Sequence, residues 1–345
     1  MKRIVVVLAG IFAISAALAA QNSKKAQSGP LQLRTSVPLP GVKGDFDHLE
    51  ADVKGNRLFL AAEDHHSVEV FDLKTGKHLR SVTGIDSPHQ IVFEPDTNKA
   101  FVTDSGPEDG NKGYIRVISG TTYKITESIP VLAAADSAGY DPDTHLMYAD
   151  TGGQEAKQDQ TTIAVIDAKN LKKTTEIKVD SPRVEAIRFE HSGSRMFANL
   201  RTKAQVGVFD KNDYKILATW EAGCQDNVPM AFDEANHRLF IVCRKPATFV
   251  VLDSESGNKI TSMPTVDRAD DMAYDSANKR IYVAGGDGFV AVYSQKDPDH
   301  YEQMAKIATG PVGKTAVFVP ELNRYYVATV AKGTVPAKLM IFDVK

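Results

Sequence analysis

The sequence predicts an all-β fold, a seven-bladed β-propeller of four-stranded blades. Three observations predict it: a β-rich phrase recurs seven times, turn residues divide each interval into four short extended segments, and no unit carries a sustained helical period. The phrase reads Val70-Phe71-Asp72, Val117-Ile118-Ser119, Val165-Ile166-Asp167, Val208-Phe209-Asp210, Val251-Leu252-Asp253, Val292-Tyr293-Ser294 and Ile341-Phe342-Asp343. Its third residues stand 47, 48, 43, 43, 41 and 49 positions apart. A period of this length with four strands per unit is that of a propeller blade.

In chain order, the first segment is not part of the fold. Lys2 and Arg3 precede an apolar run from Ile4 to Leu18, followed by the small residues Ala17, Ala19 and Ala20, so residues 1–20 are expected to be a secretory signal peptide. Residues 21–30 are polar and are expected to form a disordered leader, with one propeller over 31–345. The fifth unit shows the strand pattern best. Val228 to Phe232 is strand A, "DEANHR" is a turn, Leu239 to Cys243 is strand B, Thr248 to Leu252 is strand C, and Ile260 to Met263 is strand D after "DSESGNK". The seventh unit ends at strand C, and Leu31 to Val37, apolar at Leu31, Leu33 and Val37, can supply the missing strand and close the ring.

The phrases "NRLFLA", "KAFVTD", "HRLFIVC", "KRIYVAGG" and "NRYYVAT" resemble the YVTN-type propeller repeat of YncE-like exported bacterial proteins, over nearly the whole chain after residue 30. That resemblance implies the propeller fold and export. Members of the wider group serve in DNA binding, surface layers and redox enzymes, and related seven-bladed propellers include lactonases and lyases, so the fold alone selects no function.

Charge narrows the choice. The formal charge is −3, and −5 without Lys2 and Arg3; no basic stripe is present, which argues against nucleic acid as a partner. After the short apolar run at the start, no segment approaches the length of a membrane span. A one-ring chain gives no reason to expect an oligomer. No phosphate-binding loop, nucleophile elbow or haem motif is present. The two cysteines, Cys224 before strand A and Cys243 at the end of strand B, fall at the same end of one sheet and are expected to form a disulfide.

Comparing units column by column separates scaffold from site. The sixth position of strand A reads Asp52, Glu94, Asp141, Glu190, Asp233, Asp275 and Val319; an acid so nearly constant is expected to bond turn amides. The first position reads Asp47, His89, Asp136, Glu185, Val228, Asp270 and Lys314, which varies from blade to blade and faces a funnel where seven blades converge. His48, Arg183, Asp226, Asn227 and Asp271 enrich the rim, and Arg201 and Arg244, with Asp104 and Asp150, reach it from strand B ends. Asp47, Asp136, Glu185 and Asp270 are candidate ligands for calcium, magnesium, manganese or zinc. "EDHH", Glu63 to His66, is expected to be a solvated loop, while the loops 104–113 and 150–160 can fold over the funnel.

Two functions remain open at this stage. One is an exported periplasmic module that binds a small ligand or a protein through its funnel. The other is a metal-assisted hydrolase or lyase, lactonase-like, with His89 or His48 as acid or base and Lys314 or Arg201 holding an anion.

Overall fold

The computed structural model describes residues 29–107 and 110–345. The expected signal peptide, and all of the expected leader except Gly29 and Pro30, lie outside them. Seven four-stranded antiparallel sheets form a ring, each ordered A-B-C-D from the centre outwards. The inner A strands are Leu49–Asp52, Pro88–Glu94, Ala138–Asp141, Glu185–Phe189, Gln225–Asp233, Ala269–Asp275 and Thr315–Val319. Blades 1 to 6 are made from consecutive strands. The last is completed by Leu31–Pro38, which pairs antiparallel with Lys338–Val344 and places Leu33 opposite Phe342.

Strand B shows why the sheets stack into a ring. In blade 1 it reads Arg-Leu-Phe-Leu-Ala-Ala from Arg57 to Ala62, with every residue buried. Alternate side chains point to opposite faces. Leu58 and Leu60 pack towards the last blade, against Tyr326, Leu339 and Ile341, whereas Phe59 and Ala61 pack towards blade 2, against Ile91, Phe93 and Val102. The same division repeats around the ring, so that each of seven apolar clusters fills one seam between neighbouring blades. A strand buried on both faces reads as a continuous apolar run.

The recurring arginine before that run stitches the seams. Arg57 donates to Asn98 Oδ1 of blade 2 at 2.5 Å and to the Gly120 carbonyl. Arg195 donates to the Ser254 carbonyl of blade 5 (2.6 Å), Arg238 to that of Pro298 in blade 6 (2.9 Å), Arg280 to that of Lys345, and Arg324 to that of Lys74 in blade 1 (2.7 Å). The residue before the arginine takes a left-handed backbone at Asn56, His237, Lys279 and Asn323, where the A-to-B turn reverses the chain.

The near-constant acid at the end of strand A bonds its own turn, as expected. Asp52 accepts the Gly55 amide, Glu94 that of Thr97, Asp141 that of Asp143, Glu190 that of Arg195 and Asp275 that of Asn278, while Asp233 accepts the Asn236 side chain. Cys224 and Cys243 form the disulfide, with their Cα atoms 5.9 Å apart. Such a bond persists in an oxidising, extracytoplasmic setting and adds about 3 kcal/mol in the chain-entropy description. Among the described residues no helix is long and apolar enough to cross a membrane.

Deleting residues 31–38 exposes the edge of Lys338–Val344. The truncated protein is expected to melt roughly 10 °C or more below the intact one and to self-associate, as read by calorimetry and light scattering.

Candidate functional site

The first residues of the inner strands meet at the mouth formed by the D-to-A and B-to-C connections. Seven strands directed at one axis crowd their leading side chains together, and here those side chains are charged. His89 is the hub of one half. Its Nδ1 donates to Asp47 Oδ2 at 2.7 Å and lies 3.6 Å from Asp136, while Nε2 lies 3.2 Å from Ser87 Oγ. His48 Nδ1 meets Asp271 Oδ1 at 2.8 Å, and its Nε2 is 3.6 Å from Asp47. Lys314 Nζ donates to Asp270 at 2.6 Å and stands 3.6 and 3.8 Å from Asp45 and Asp47.

The ring of pairs continues around the mouth. Arg244 bonds Asp270 at 2.5 Å and the Ala269 carbonyl at 2.9 Å. Glu185 accepts Arg201 at 2.7 Å, Ser137 Oγ at 3.0 Å and Arg183 at 3.3 Å. Arg201 also pairs with Asp226, which Lys245 approaches at 3.2 Å. The loop 150–160 folds over this sector: Glu155 pairs with Arg183 at 2.9 Å, and the Gln154 amide donates to the Pro182 carbonyl at 2.8 Å.

Most of the rim residues read from the sequence therefore meet in one network. The exceptions are instructive. Asn227 is buried in the seam between blades 4 and 5, where its Nδ2 donates to Asn199 and to the Gln205 carbonyl, and Val228 closes that sector with an apolar side chain. Asp104 is consumed by scaffold, accepting Arg116 and the amides of Asp86, Ser87 and Gly106. The four proposed metal carboxylates, Asp47, Asp136, Glu185 and Asp270, are shared out among cations rather than gathered around one point: Lys314 and Arg244 take Asp270, and Arg201 and Arg183 take Glu185. The atoms that do converge to within 4.8 Å belong to Asp47, Glu63 and His89.

Glu63, in the short turn Glu63–His65 rather than a solvated loop, thus joins the network at His89. The signal lay in the register: Glu63, Arg201 and Arg244 each stand six residues after the first residue of their B strand, at Arg57, Arg195 and Arg238. Asp64, beside it, caps the Asp45 amide at 2.8 Å. Ser87 was also missed, and nothing in its local sequence marks it.

Electrostatics divides the network into spent and unspent groups. Burial alone would depress the His89 pKa, but the carboxylates of Asp136, Asp47 and Glu63 outweigh it and push it up to about 10. Burial likewise opposes the charge of Lys314, yet Asp270, Asp47 and Asp45 hold it firmly protonated. Asp47 overcomes its own burial because His48, His89 and Lys314 surround it, and its pKa falls well below the carboxylate range. Two acids go the other way. Burial, then Glu185 and Asp47, raise Asp136 to about 7, and burial with Asp136 and Glu185 raises Asp150 well above the ordinary value. Asp150 Oδ1 is buried and has no hydrogen-bond partner among the described residues.

No protein-family model matches the chain. Among curated proteins, Antigen Lp49 of Leptospira interrogans serogroup Icterohaemorrhagiae serovar copenhageni (strain Fiocruz L1-130) is 26% identical over 104 residues, 30% of this chain. That match spans 23% of the relative's length. Among solved structures, a chain of the mitotic checkpoint complex superposes with a TM-score of 0.73 at 12% identity, covering 91% of this chain and 95% of that one. A chain of hydrazine synthase from Kuenenia stuttgartiensis gives a TM-score of 0.69 at 16% identity, covering 86% and 99%. At such identities the likeness defines a class, the seven-bladed β-propellers, and does not name a particular protein within it.

Both His89 and Asp136 bind protons more tightly folded than unfolded, so their contribution to stability falls as pH rises. For His89 it is complete below the ordinary value of 6.5 and is lost progressively up to about pH 10. A His89→Gln variant is expected to be less stable than wild type by roughly 2–4 kcal/mol at pH 6, with the gap closing towards pH 10, as measured by urea unfolding across that range.

Proposed function

We propose that the protein is an exported periplasmic propeller of the YVTN type its repeats resemble, and that it binds a small ligand or a protein partner through the funnel mouth. The ligand presents a cationic group to Asp136 and Asp150. The observation that carries this reading is the buried, unpartnered Oδ1 of Asp150 beside Asp136. The two residues are tied through their backbones, with the Asp136 amide donating to the Asp150 carbonyl and the Asp150 amide to that of Ser137 at 3.0 Å. Burying a carboxylate without a partner is costly, and an arriving cation relieves that cost.

The rest of the mouth supports recognition over catalysis. A general base has to be unprotonated near working pH. His89 is an imidazolium at neutral pH, clamped between carboxylates, and Lys314 is fixed as a cation. The disulfide supports export, in keeping with the expected signal peptide.

One arrangement favours the enzymatic alternative. Asp47, His89 and Ser87 form a hydrogen-bonded line with the connectivity of a hydrolase triad, and Glu63 joins Asp47 and His89 at a spacing that suits a divalent ion. In that reading a metal displaces the proton of His89, or Ser87 becomes reactive only as pH approaches 10. A lactone panel assayed from pH 7 to 10 tests it. No turnover above that of a Ser87→Ala, His89→Gln double variant is the expected outcome.

The binding reading is tested by metal analysis of protein purified without chelator, together with melting curves in calcium, magnesium, manganese, zinc and spermidine. Wild type is expected to gain several degrees with at least one of these cations. Asp150→Asn is expected to lose that response while melting higher than wild type at pH 8 without added cation, by roughly 1–3 kcal/mol of stability. A response unchanged in Asp150→Asn refutes the assignment.

A further inference from the structure

The charged mouth occupies only one end of the central channel. At the other end, where the A-to-B turns meet, the channel widens into a cavity of about 500 Å3 that opens past His191 and Glu234. This lies within the range of small-molecule sites, roughly 300–1,000 Å3. Its walls come from the third, fourth and fifth positions of the inner strands, just before the turn acids.

The fifth position of strand A is aromatic in six of the seven blades, and Phe93, Tyr140, Phe189, Phe232, Tyr274 and Phe318 all line the cavity. The fourth position is otherwise small or apolar, with Val92, Gly139, Ala231, Ala273 and Val317, but blade 1 has Glu50 and blade 4 has Arg188. Arg188 donates one N–H to the adjacent Ile187 carbonyl at 2.8 Å and, among the described residues, forms no ion pair. Burial lowers its pKa, and the acid whose charge opposes that effect is Asp271. Asp271 is already committed, with Oδ1 on His48 at 2.8 Å and Oδ2 on the Ala316 amide at 2.7 Å. Glu50 accepts only the Phe93 amide, at 3.4 Å, and burial pushes its pKa up to about 8. At neutral pH it is a carboxylic acid able to donate.

A guanidinium with unspent donors is a fork that matches a carboxylate. Set among aromatic side chains with its nearest acid, Asp271, already bonded elsewhere, it costs stability, which a bound anion returns. We propose that this cavity is a second binding site, for a small organic carboxylate with an apolar or aromatic body, in which Arg188 holds the carboxylate and Glu50 offers a hydrogen bond from across the channel. It is separate from the cation-binding mouth and does not rest on it.

The test is calorimetric titration of the folded wild-type protein at pH 6.5 with benzoate and 3-phenylpropionate, with benzamide and acetate as controls. Binding of an aryl carboxylate at least tenfold tighter than of benzamide or acetate is expected. Arg188→Met is expected to weaken it at least tenfold, and Ala273→Phe, which fills the cavity and keeps the guanidinium, to abolish it. Aryl carboxylate binding unchanged in either variant overturns the proposal, as does equal affinity for acetate, and as does no detectable binding to wild type at millimolar concentration. If Arg188→Met does not fold, as judged by circular dichroism, Ala273→Phe decides.

Discussion

Everything in this molecule depends on the blade-to-blade seam. Each sheet is apolar on both faces, so no blade is stable with only one neighbour, and the only arrangement that covers all fourteen faces of seven sheets is a closed ring. The seams are filled by alternate residues of the B and C strands and bound at one edge by the arginine that opens strand B, which in five blades reaches the next blade. The repeated phrase in the sequence is the record of that seam. Its asparagine or equivalent makes the turn, its arginine reaches the neighbour, and its apolar run is shared between two cores. The strand Leu31–Pro38 completes the logic by pairing the two ends of the described chain.

Closure has an electrostatic consequence. Seven inner strands begin around a narrow axis, so whatever stands at their first positions is forced into contact. The protein fills that space with acids and bases in near alternation, and most of the charge is neutralised locally. Asp47 shows this most clearly, since His89, His48 and Lys314 from three different blades converge on it. The residue left over is Asp150, conspicuous because its neighbours are paired, Asp136 included, at 3.6 Å from His89 and 3.8 Å from Arg183. A buried network is informative mainly through its unsatisfied members.

The two ends of the channel are chemically opposite. One is a ring of ion pairs with surplus acid, partly roofed by the loop 150–160. The other is ringed by aromatic residues and holds the Arg188 guanidinium, which forms no ion pair among the described residues. Asp271 stands between them, held by His48 on the side of the mouth and lining the cavity on the other. A scaffold built from one repeated unit acquires two distinct environments because strand A runs the length of the channel, and its first and fourth positions are free to vary towards the two ends.

By itself the sequence determined the blade count, the four strands per blade, the closing strand, the turn acids and the disulfide. Apart from the closing strand, which follows from the last unit's lacking a fourth strand, these rest on short-range periodicity or on residues brought to one end of a single sheet, physical rules that act within a few tens of residues. The list of rim residues was also legible, because a column that varies where its neighbours repeat stands out. Only the tertiary structure decided which rim residues meet. Asn227 turned into a seam and Asp104 into a backbone clamp, Glu63 and Ser87 came to lie beside His89, and Asp270 and Glu185 were taken by Lys314, Arg244, Arg201 and Arg183. Arg188 and Glu50, in blades 4 and 1, came to line one cavity. Contacts between the first and last blades join residues as far apart in sequence as Asp47 and Lys314, and these partners are set by the closure of the ring, which no local pattern encodes.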